Sequence, residues 1–316
     1  MPLARLDGRA AVLYSRLVGQ AERFHDAQLA TRAERAPVTV VPGLVMLALR
    51  TPTLPPATHT NTFLVGAGDG AVLVEPASPY PEELERVGAL VDEAAGRGVH
   101  PRAILVTHHH ADHVGGALKL QEHLRLPLWA HRATIERLEG RVPFDRAIED
   151  GERIPVGGAG PAMELVAVHT PGHAPGHLCF LEPATGTMIA GDMVAGIGTI
   201  VVEPTDGDMG LYLESLRKMI EAGAETLLPA HGGPITEAAA CVEYYIQHRL
   251  ERERKVLQAL QLHPEGVTAP ALLPDAYGDA PKAVWPLALQ SVQAHLLKLE
   301  GEGRARRGPD ERWRPA

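Results

Sequence analysis

The chain has little of what marks secreted or membrane-spanning proteins. It contains only two cysteines, Cys179 and Cys241, in 316 residues, so no disulfide framework is implied and a reducing compartment is expected. No window approaches the roughly 18 uninterrupted apolar residues that a membrane span requires. Acidic side chains such as Asp7 and Glu22 interrupt the N-terminal apolar positions, which disfavours a secretory or transit peptide. We therefore expect a cytoplasmic protein with no membrane partner.

Aromatic residues and positive charge are also scarce. Aromatic side chains make up 4% of the chain and the formal net charge is −9. Few aromatic rings leave few platforms on which single-stranded bases can stack, and an acidic balance argues against nucleic-acid binding over the whole surface. Apolar content of 45% with 22% charged residues is ordinary for a folded chain. The length allows one large domain and one small domain.

The local patterns of apolar and polar residues divide the chain into three predicted segments. Residues 1–36 carry an apolar stripe at helical spacing, formed by Leu13, Leu17, Ala21 and Phe24. This predicted helix packs on the body of the protein or on a second copy in a homodimer. From residue 37 to 262, short strand-like runs alternate with helical runs in a mixed order, which indicates a layered α/β sandwich. Residues 263–316 read as helices followed by a short hairpin, which resembles a winged helix.

Metal-binding side chains are concentrated directly after an apolar run, in the stretch AILVTHHHADHVGG. His108 and His110 alternate on an extended segment and should point the same way, while His109 between them should face away. Asp112 and His113 stand on the turn that begins the next helix. Three further candidates each follow an apolar strand and sit beside glycine, which allows sharp turns: His173 in TPGHAPGH, Asp192 in IAGDM and His231 in LPAHGG.

The pattern H-x-H-x-D-H, followed by separate His, Asp and His residues, resembles the metallo-β-lactamase superfamily over about residues 37–234. The resemblance implies an αβ/βα sandwich and two divalent ions, zinc first, with manganese or iron as the other candidates. It implies one ion held by His108, His110 and His173, a second held by Asp112, His113 and His231, and Asp192 as the bridge between them. A divalent ion lowers the pKa of bound water from ~15.7 toward 7, so a water bridging two ions would supply hydroxide at neutral pH. Asp112 or a metal-bound water is the candidate general acid for the leaving group.

Further segments narrow the resemblance to the β-lactamase-like protein 2 branch, in which a winged helix follows the catalytic domain. The segments are NTFLVG, TPGHAPGH, GIGTIVVEPTDGDMGLYLESL, LPAHGGPI and the tail HLLKLEGEGRARRGPDERWRP. The best-studied member of that branch is a zinc-dependent endoribonuclease, so hydrolysis of single-stranded RNA is one hypothesis. The predicted wing supports it weakly, because acidic residues offset its arginines. Those arginines are Arg304, Arg306, Arg307, Arg312 and Arg314, and the acidic residues are Glu302, Asp310 and Glu311.

The hypothesis that we rank first is hydrolysis of a small ester, thioester, lactone or lactam, with the winged helix as a wall or lid beside the metals. Asn61, His177 and Thr199 are then candidate substrate contacts. A further alternative is an iron-dependent sulfur dioxygenase, which would use fewer of these ligands. A nucleic-acid binder with a vestigial hydrolase domain is the remaining alternative, and the complete ligand set argues against it.

Overall fold

The computed structural model describes residues 36–158 and 163–316. The predicted amphipathic helix through Leu13 and Phe24 lies outside the described residues, and its part in a homodimer stays a prediction. The first β-sheet has seven strands in chain order, antiparallel from β1 to β4 and parallel from β4 to β7. The strands are β1 (Val38–Val41), β2 (Leu44–Arg50), β3 (His59–Val65), β4 (Ala71–Val74), β5 (Pro101–Leu105), β6 (Leu128–His131) and β7 (Arg146–Ile148).

The second sheet has five strands in the order β12-β11-β10-β9-β8, of which only β11 and β12 pair in parallel. They are β8 (Arg153–Pro155), β9 (Glu164–His169), β10 (Leu178–Glu182), β11 (Thr187–Gly191) and β12 (Thr226–Pro229). A hairpin of β13 (Ala305–Arg307) and β14 (Trp313–Pro315) follows near the end of the chain.

Eight α-helices are described in these ranges, and two of them begin with clear local signals. A proline occupies the first turn of α1, where no backbone N–H is needed, and Asp208 caps α5 by accepting the N–H of Leu211 at 2.9 Å. The helices are α1 (Pro81–Ala95), α2 (Ala111–Val114), α3 (Ala117–Leu124), α4 (Arg132–Arg137), α5 (Met209–Glu221), α6 (Ala238–Gln261), α7 (Leu273–Tyr277) and α8 (Trp285–Gly301).

Apolar side chains between the two sheets form the central core of the protein. Phe63 and Leu105 of the first sheet pack with Phe180 and Ile189 of the second, and all four are fully buried. Strands buried on both faces carry near-continuous apolar runs, so the opposite faces also need cover. Helices α1 and α3 cover the outer face of the first sheet, and α5 and α6 cover the second. This is the predicted αβ/βα order of layers.

A separate apolar cluster joins the C-terminal half of α6 to α7, α8 and the hairpin. Val256 of α6, Leu296 of α8 and Trp313 of β14 belong to it, in the helix and hairpin arrangement of a winged helix. The N-terminal half of α6, through Val242 and Ile246, belongs instead to the cluster over the second sheet. Because α6 contributes to both cores, the predicted boundary between residues 262 and 263 stays a prediction.

The sheet topology gathers chain segments from both sheets at one edge. Strands β4 and β5 run parallel in the first sheet. In the second, β9, β11 and β12 run in one direction, since β9 and β11 are both antiparallel to β10. Every predicted ligand follows the carboxyl end of one of these strands. No helix within the described ranges is long and apolar enough to cross a membrane.

Candidate metal centre

Three imidazole nitrogens converge at this edge. His108 Nε2 lies 3.0 Å from His110 Nδ1 and 3.2 Å from His173 Nε2, and the last two nitrogens are 3.0 Å apart. Three nitrogens bound tetrahedrally to one zinc at about 2.0–2.1 Å would be about 3.3 Å from one another. The observed spacing is close to that value, so the three rings can hold one ion.

A second group of ligand atoms lies beside the first. Asp192 Oδ1 is 3.5 Å from His113 Nε2 and 3.4 Å from His231 Nε2, while its Oδ2 is 3.6 Å from His173 Nε2 of the first group. Asp112 Oδ2 is 3.5 Å from His231 Nε2. The Asp192 carboxylate therefore faces both groups, the position that a bridging ligand would need.

Two buried atoms in this centre test whether cations fit it. His113 Nε2 and Asp192 Oδ1 are buried and have no hydrogen-bond partner among the described residues. A buried polar atom left unpaired costs about 1–3 kcal/mol, and both atoms face the same small volume. A divalent cation would satisfy both, and a mixed set of imidazole and carboxylate ligands suits zinc, manganese or iron. The centre fits the two predicted ions, while the assignment of each ligand stays a prediction.

Hydrogen bonds on the far side of two rings fix their orientation. His173 Nδ1–H donates to the carbonyl of Val201 at 2.8 Å, and His231 Nδ1–H donates to the carbonyl of His59 at 2.9 Å. Each ring is therefore protonated at Nδ1 and presents the Nε2 lone pair to the centre. Partners of this kind raise the basicity of a metal ligand and fix its tautomer.

Glu75, which the sequence analysis missed, connects two parts of the centre. It is fully buried at the end of β4, and its Oε2 lies 2.6 Å from His113 Nδ1. Its Oε1 accepts the N–H of Thr107 at 2.8 Å, just before the histidine stretch. The one available signal was an acidic residue directly after an apolar strand, in VLVEP.

Asp206 is a second residue that the sequence analysis missed. Its Oδ2 is 3.0 Å from His110 Nε2 and 3.2 Å from His109 Nε2, and its Oδ1 is 3.3 Å from Arg137 Nη2. Although burial raises the pKa of Asp206, hydrogen bonds from His109 and His110 hold it well below its usual value. His109 thus contacts a residue that orients a predicted ligand. No local pattern marks Asp206, which lies 96 positions beyond His110.

His108, His173 and Asp192 have protonation states that suit cation binding. For His113 and His231, burial lowers the pKa, but neighbouring carboxylates outweigh it and raise that pKa. Burial, followed by the neighbouring imidazoles, holds the pKa of His108 well below its usual value. Burial also lowers the pKa of His173 to about 4. Burial raises the pKa of Asp192, but His231 and His113 outweigh it and hold that pKa well below its usual value. Neutral imidazoles and an ionised carboxylate are the forms that bind a metal.

Asn61 was predicted to contact substrate, and this stays a prediction. The side chain is fully buried, and its Nδ2 donates to the carbonyls of Pro229 at 2.9 Å and Gly232 at 2.7 Å. These two residues flank the segment that carries His231. Asn61 therefore holds a predicted ligand loop in place through Nδ2, while its Oδ1 is buried with no hydrogen-bond partner among the described residues.

His177 and Thr199 were also predicted to contact substrate, and they differ in burial. The ring of His177 is fully buried, with Nε2 accepting the N–H of Asp192 at 3.0 Å and Nδ1 lying 2.8 Å from Thr170 Oγ1. Both ring nitrogens are occupied, so His177 positions the Asp192 backbone. Thr199 is exposed and lines the cavity at the centre, and its contact with substrate stays a prediction.

The centre opens into a cavity of about 950 Å³. Five predicted ligands line it, namely His110, Asp112, His173, Asp192 and His231. Leu54 and Ile197 contribute apolar wall from the first domain. Helix α6 supplies Tyr244 and Tyr245, and α8 supplies Leu287. The C-terminal module, formed by the second half of α6, α7, α8 and the hairpin, therefore contributes to one side of the cavity through α8.

The chain belongs to the metallo-beta-lactamase superfamily, which matches residues 55–231, and a beta-lactamase associated winged helix domain matches residues 268–313. It is 32% identical over 248 residues to the beta-lactamase-like protein 2 homolog of Caenorhabditis elegans, covering 77% of this chain and 79% of that protein. It is also 33% identical over 264 residues to an atrochrysone carboxyl ACP thioesterase of Aspergillus chevalieri, covering 80% of each chain.

A solved structure shares the fold over nearly the whole chain. The beta-lactamase domain protein from Burkholderia ambifaria superposes with a TM-score of 0.76 at 22% identity, covering 91% of this chain and 95% of that one. The predicted superfamily, sandwich and winged helix are thereby confirmed. Members of this superfamily are hydrolytic enzymes, and this protein is a hydrolase of the superfamily.

Proposed function

We propose that the protein hydrolyses a thioester or a related ester of a small acyl compound, with two divalent ions, zinc first, in the centre described above. The ligands would be His108, His110 and His173 for one ion, Asp112, His113 and His231 for the other, and Asp192 between them. When bound, the ions would supply Lewis acidity and a water of lowered pKa.

The observation that carries this proposal is the cavity into which the ligand groups open. At about 950 Å³ it is large enough to enclose a small acyl compound. Leu54, Ile197 and Leu287 give it apolar walls, which suit an acyl chain better than a phosphodiester backbone. The thioesterase name of the Aspergillus chevalieri relative supports a thioester as the first substrate to test.

Residues of the chain have distinct roles in the proposed reaction. Asp112 lines the cavity and is partly exposed, so the carboxylate oxygen that does not bind an ion can relay a proton to the departing thiolate or alkoxide. Thr199 stands at the same cavity, where its hydroxyl can orient the substrate. Asn61 and His177 act indirectly, since they hold the loops that carry His231 and Asp192.

The wing gives no support to RNA as the substrate. Arg304 of the wing pairs with Glu253 at 3.0 Å and Glu302 at 2.8 Å, and Arg314 pairs with Asp310 at 2.7 Å. Guanidinium groups engaged by neighbouring carboxylates contribute little to phosphate binding. The overall charge of −9 argues in the same direction.

The proposal is tested by a substrate panel run with the metal-loaded wild type and Asp192→Ala in parallel. We expect acyl thioesters to be hydrolysed and the variant to lose about 10³-fold or more in kcat/KM, as when a central electrostatic contact of an active site is removed. Labelled single-stranded RNA and a persulfide with oxygen complete the panel. Cleavage of RNA alone would establish the endoribonuclease alternative, and oxygen uptake with bound iron would establish the dioxygenase.

A further inference from the structure

A guanidinium group without a carboxylate partner lies in the wall of the cavity. Arg249, on α6, is only 4% exposed and is one of the residues that line the cavity. Within the described part of the chain, no carboxylate oxygen lies within 4.0 Å of it. Buried charges are normally paired, because removing an ion from water costs several kcal/mol.

The contacts that Arg249 does make are with neutral groups. Its Nη2 donates to the carbonyl of Ile200, and its guanidinium carbon lies 5.4 Å from the centre of the Tyr212 ring. Its Nε is buried and has no hydrogen-bond partner among the described residues. A carbonyl and an aromatic face orient the group without cancelling its charge.

Two neighbouring cations on α6, unlike Arg249, are paired with carboxylates. Arg252 and Lys255 lie 2.7 Å and 2.8 Å from the same carboxylate, that of Asp279. Lys255 also lies 4.0 Å from Glu251, so both of these cations have carboxylate partners, and Arg249 is the one of the three that lacks one within 4.0 Å among the described residues. Burial, with Arg249 and Arg252, lowers the pKa of the adjacent His248 to about 4, so this imidazole adds no further charge near neutral pH.

We propose that Arg249 binds an oxyanion of the substrate, a carboxylate or a phosphate, inside the cavity that also contains the metal ligands. This proposal rests on the proposed function, which supplies the thioester or ester bond that reacts. It adds a second group on the same substrate, the oxyanion. The oxyanion has two sources in a thioester. It is either a carboxylate on the acyl chain or a phosphate on a phosphopantetheine-like thiol.

Two matched pairs of thioesters, assayed with the metal-loaded full chain, distinguish these sources. The first pair is the glutaryl and pentanoyl thioesters of N-acetylcysteamine, which differ by one carboxylate. The second pair is the pentanoyl thioesters of 4′-phosphopantetheine and pantetheine, which differ by one phosphate. For one pair we expect kcat/KM for the anionic thioester to exceed that for the neutral thioester about tenfold or more. A factor of this size corresponds to the free energy of one hydrogen bond between charged groups.

The variant Arg249→Met should lower that ratio toward one, and Arg249→Lys should retain part of it. Arg254→Met is the matched control, because Arg254 is exposed, pairs with Glu251 at 2.7 Å and should keep the wild-type ratio. If Arg249 only holds the Ile200 loop, both members of a pair lose activity equally and the ratio stays constant. A constant ratio in Arg249→Met, or no preference in the wild type for either pair, overturns the proposal.

A binding measurement separates this proposal from the proposed function. Glutarate and 4′-phosphopantetheine are titrated calorimetrically into the metal-loaded wild type, Arg249→Met and Arg254→Met. We expect one of the two ligands to bind about tenfold more weakly to Arg249→Met alone. If no thioester is hydrolysed, the proposed function fails while this titration still decides the oxyanion site. Equal affinity for wild type and Arg249→Met, or no binding to either, overturns it.

Discussion

At the scale of single residues, the centre depends on groups that no cation would contact. Each predicted histidine ligand has a second ring nitrogen, and the structure occupies it with a carbonyl, a hydroxyl or a carboxylate. Asp206 can be tested by substitution, because it contacts His110 and His109 through its side chain from a loop outside the sheets. Partners of this kind contribute to metal affinity without binding the metal.

Replacement of Asp206 by asparagine should weaken metal binding about 10–100-fold, the usual cost of losing such a partner. The neutral amide accepts the Nε2–H of His110 more weakly than the carboxylate does, so it holds the tautomer that presents Nδ1 less firmly. Competition with a chromophoric chelator measures the affinity directly. Asp310→Asn, which changes a carboxylate that pairs with Arg314 in the wing, is the control and should bind metal like the wild type. Equal affinities for Asp206→Asn and the wild type would exclude this role.

At the scale of secondary structure elements, α6 connects the C-terminal module to the metal centre. Tyr245 Oη accepts the N–H of Ala195 at 2.9 Å, three residues after Asp192. One turn further, Arg249 donates to the carbonyl of Ile200, and the next carbonyl, of Val201, accepts from His173. The face of α6 toward the cavity therefore holds the loop between two predicted ligands.

His248, on the same helix, predicts a dependence of stability on pH. Its pKa is lowered to about 4 in the folded protein, by burial first and then by Arg249 and Arg252. The unfolded chain takes up this proton below about pH 6.5 and the folded chain only near 4, so the free energy of unfolding decreases as pH falls through that window. This residue should contribute at most about 3 kcal/mol of that loss.

The variant His248→Phe should therefore lose less stability than the wild type between pH 6.5 and 4. Denaturant unfolding at several pH values measures the difference, and both curves should run parallel above pH 6.5. His100→Phe, at an exposed position, is the control for loss of a histidine from the surface. Parallel curves for His248→Phe and the wild type below pH 6.5 would contradict the prediction.

At the scale of the whole molecule, the centre joins the two sheets. His108, His110, Asp112 and His113 follow β5 of the first sheet, while His173, Asp192 and His231 come from the second. Ions bound between them would connect both layers of the sandwich. A ligand that binds only the folded state at 1,000 times its Kd adds about 4 kcal/mol to the free energy of unfolding.

Removal of the ions with a chelator should therefore lower Tm by several degrees and abolish thioester hydrolysis. Differential scanning calorimetry with and without chelator measures the change, and readdition of zinc, manganese or iron identifies the metal that restores both Tm and activity. In Asp192→Ala the chelator should change Tm less, because the bridging carboxylate is gone. Identical melting curves for treated and untreated wild type would contradict the presence of stabilising ions.

The sequence alone predicted the sandwich and the winged helix because both follow from local patterns. Strand-like runs with intervening helices specify the layers, and the turn in GRARRGPDERW specifies the hairpin, now seen as β13 and β14. The seven predicted ligands could be named because each stands beside glycine or another ligand at the end of an apolar strand. The structure brings these seven side chains together, and their metal binding stays a prediction.

Only the tertiary structure decided which groups face these side chains from distant parts of the chain. Asn61 and His177 were predicted to contact substrate, and the packing of β3 and β10 against their neighbours buries both. Asp206 and Arg249 have no local signal, because charge compensation depends on which surfaces meet after folding. The spacing of residues along the chain thus determined which side chains can act as ligands. Long-range packing determined which groups orient those ligands and which charged group in the cavity has no carboxylate partner among the described residues and is left to bind a substrate.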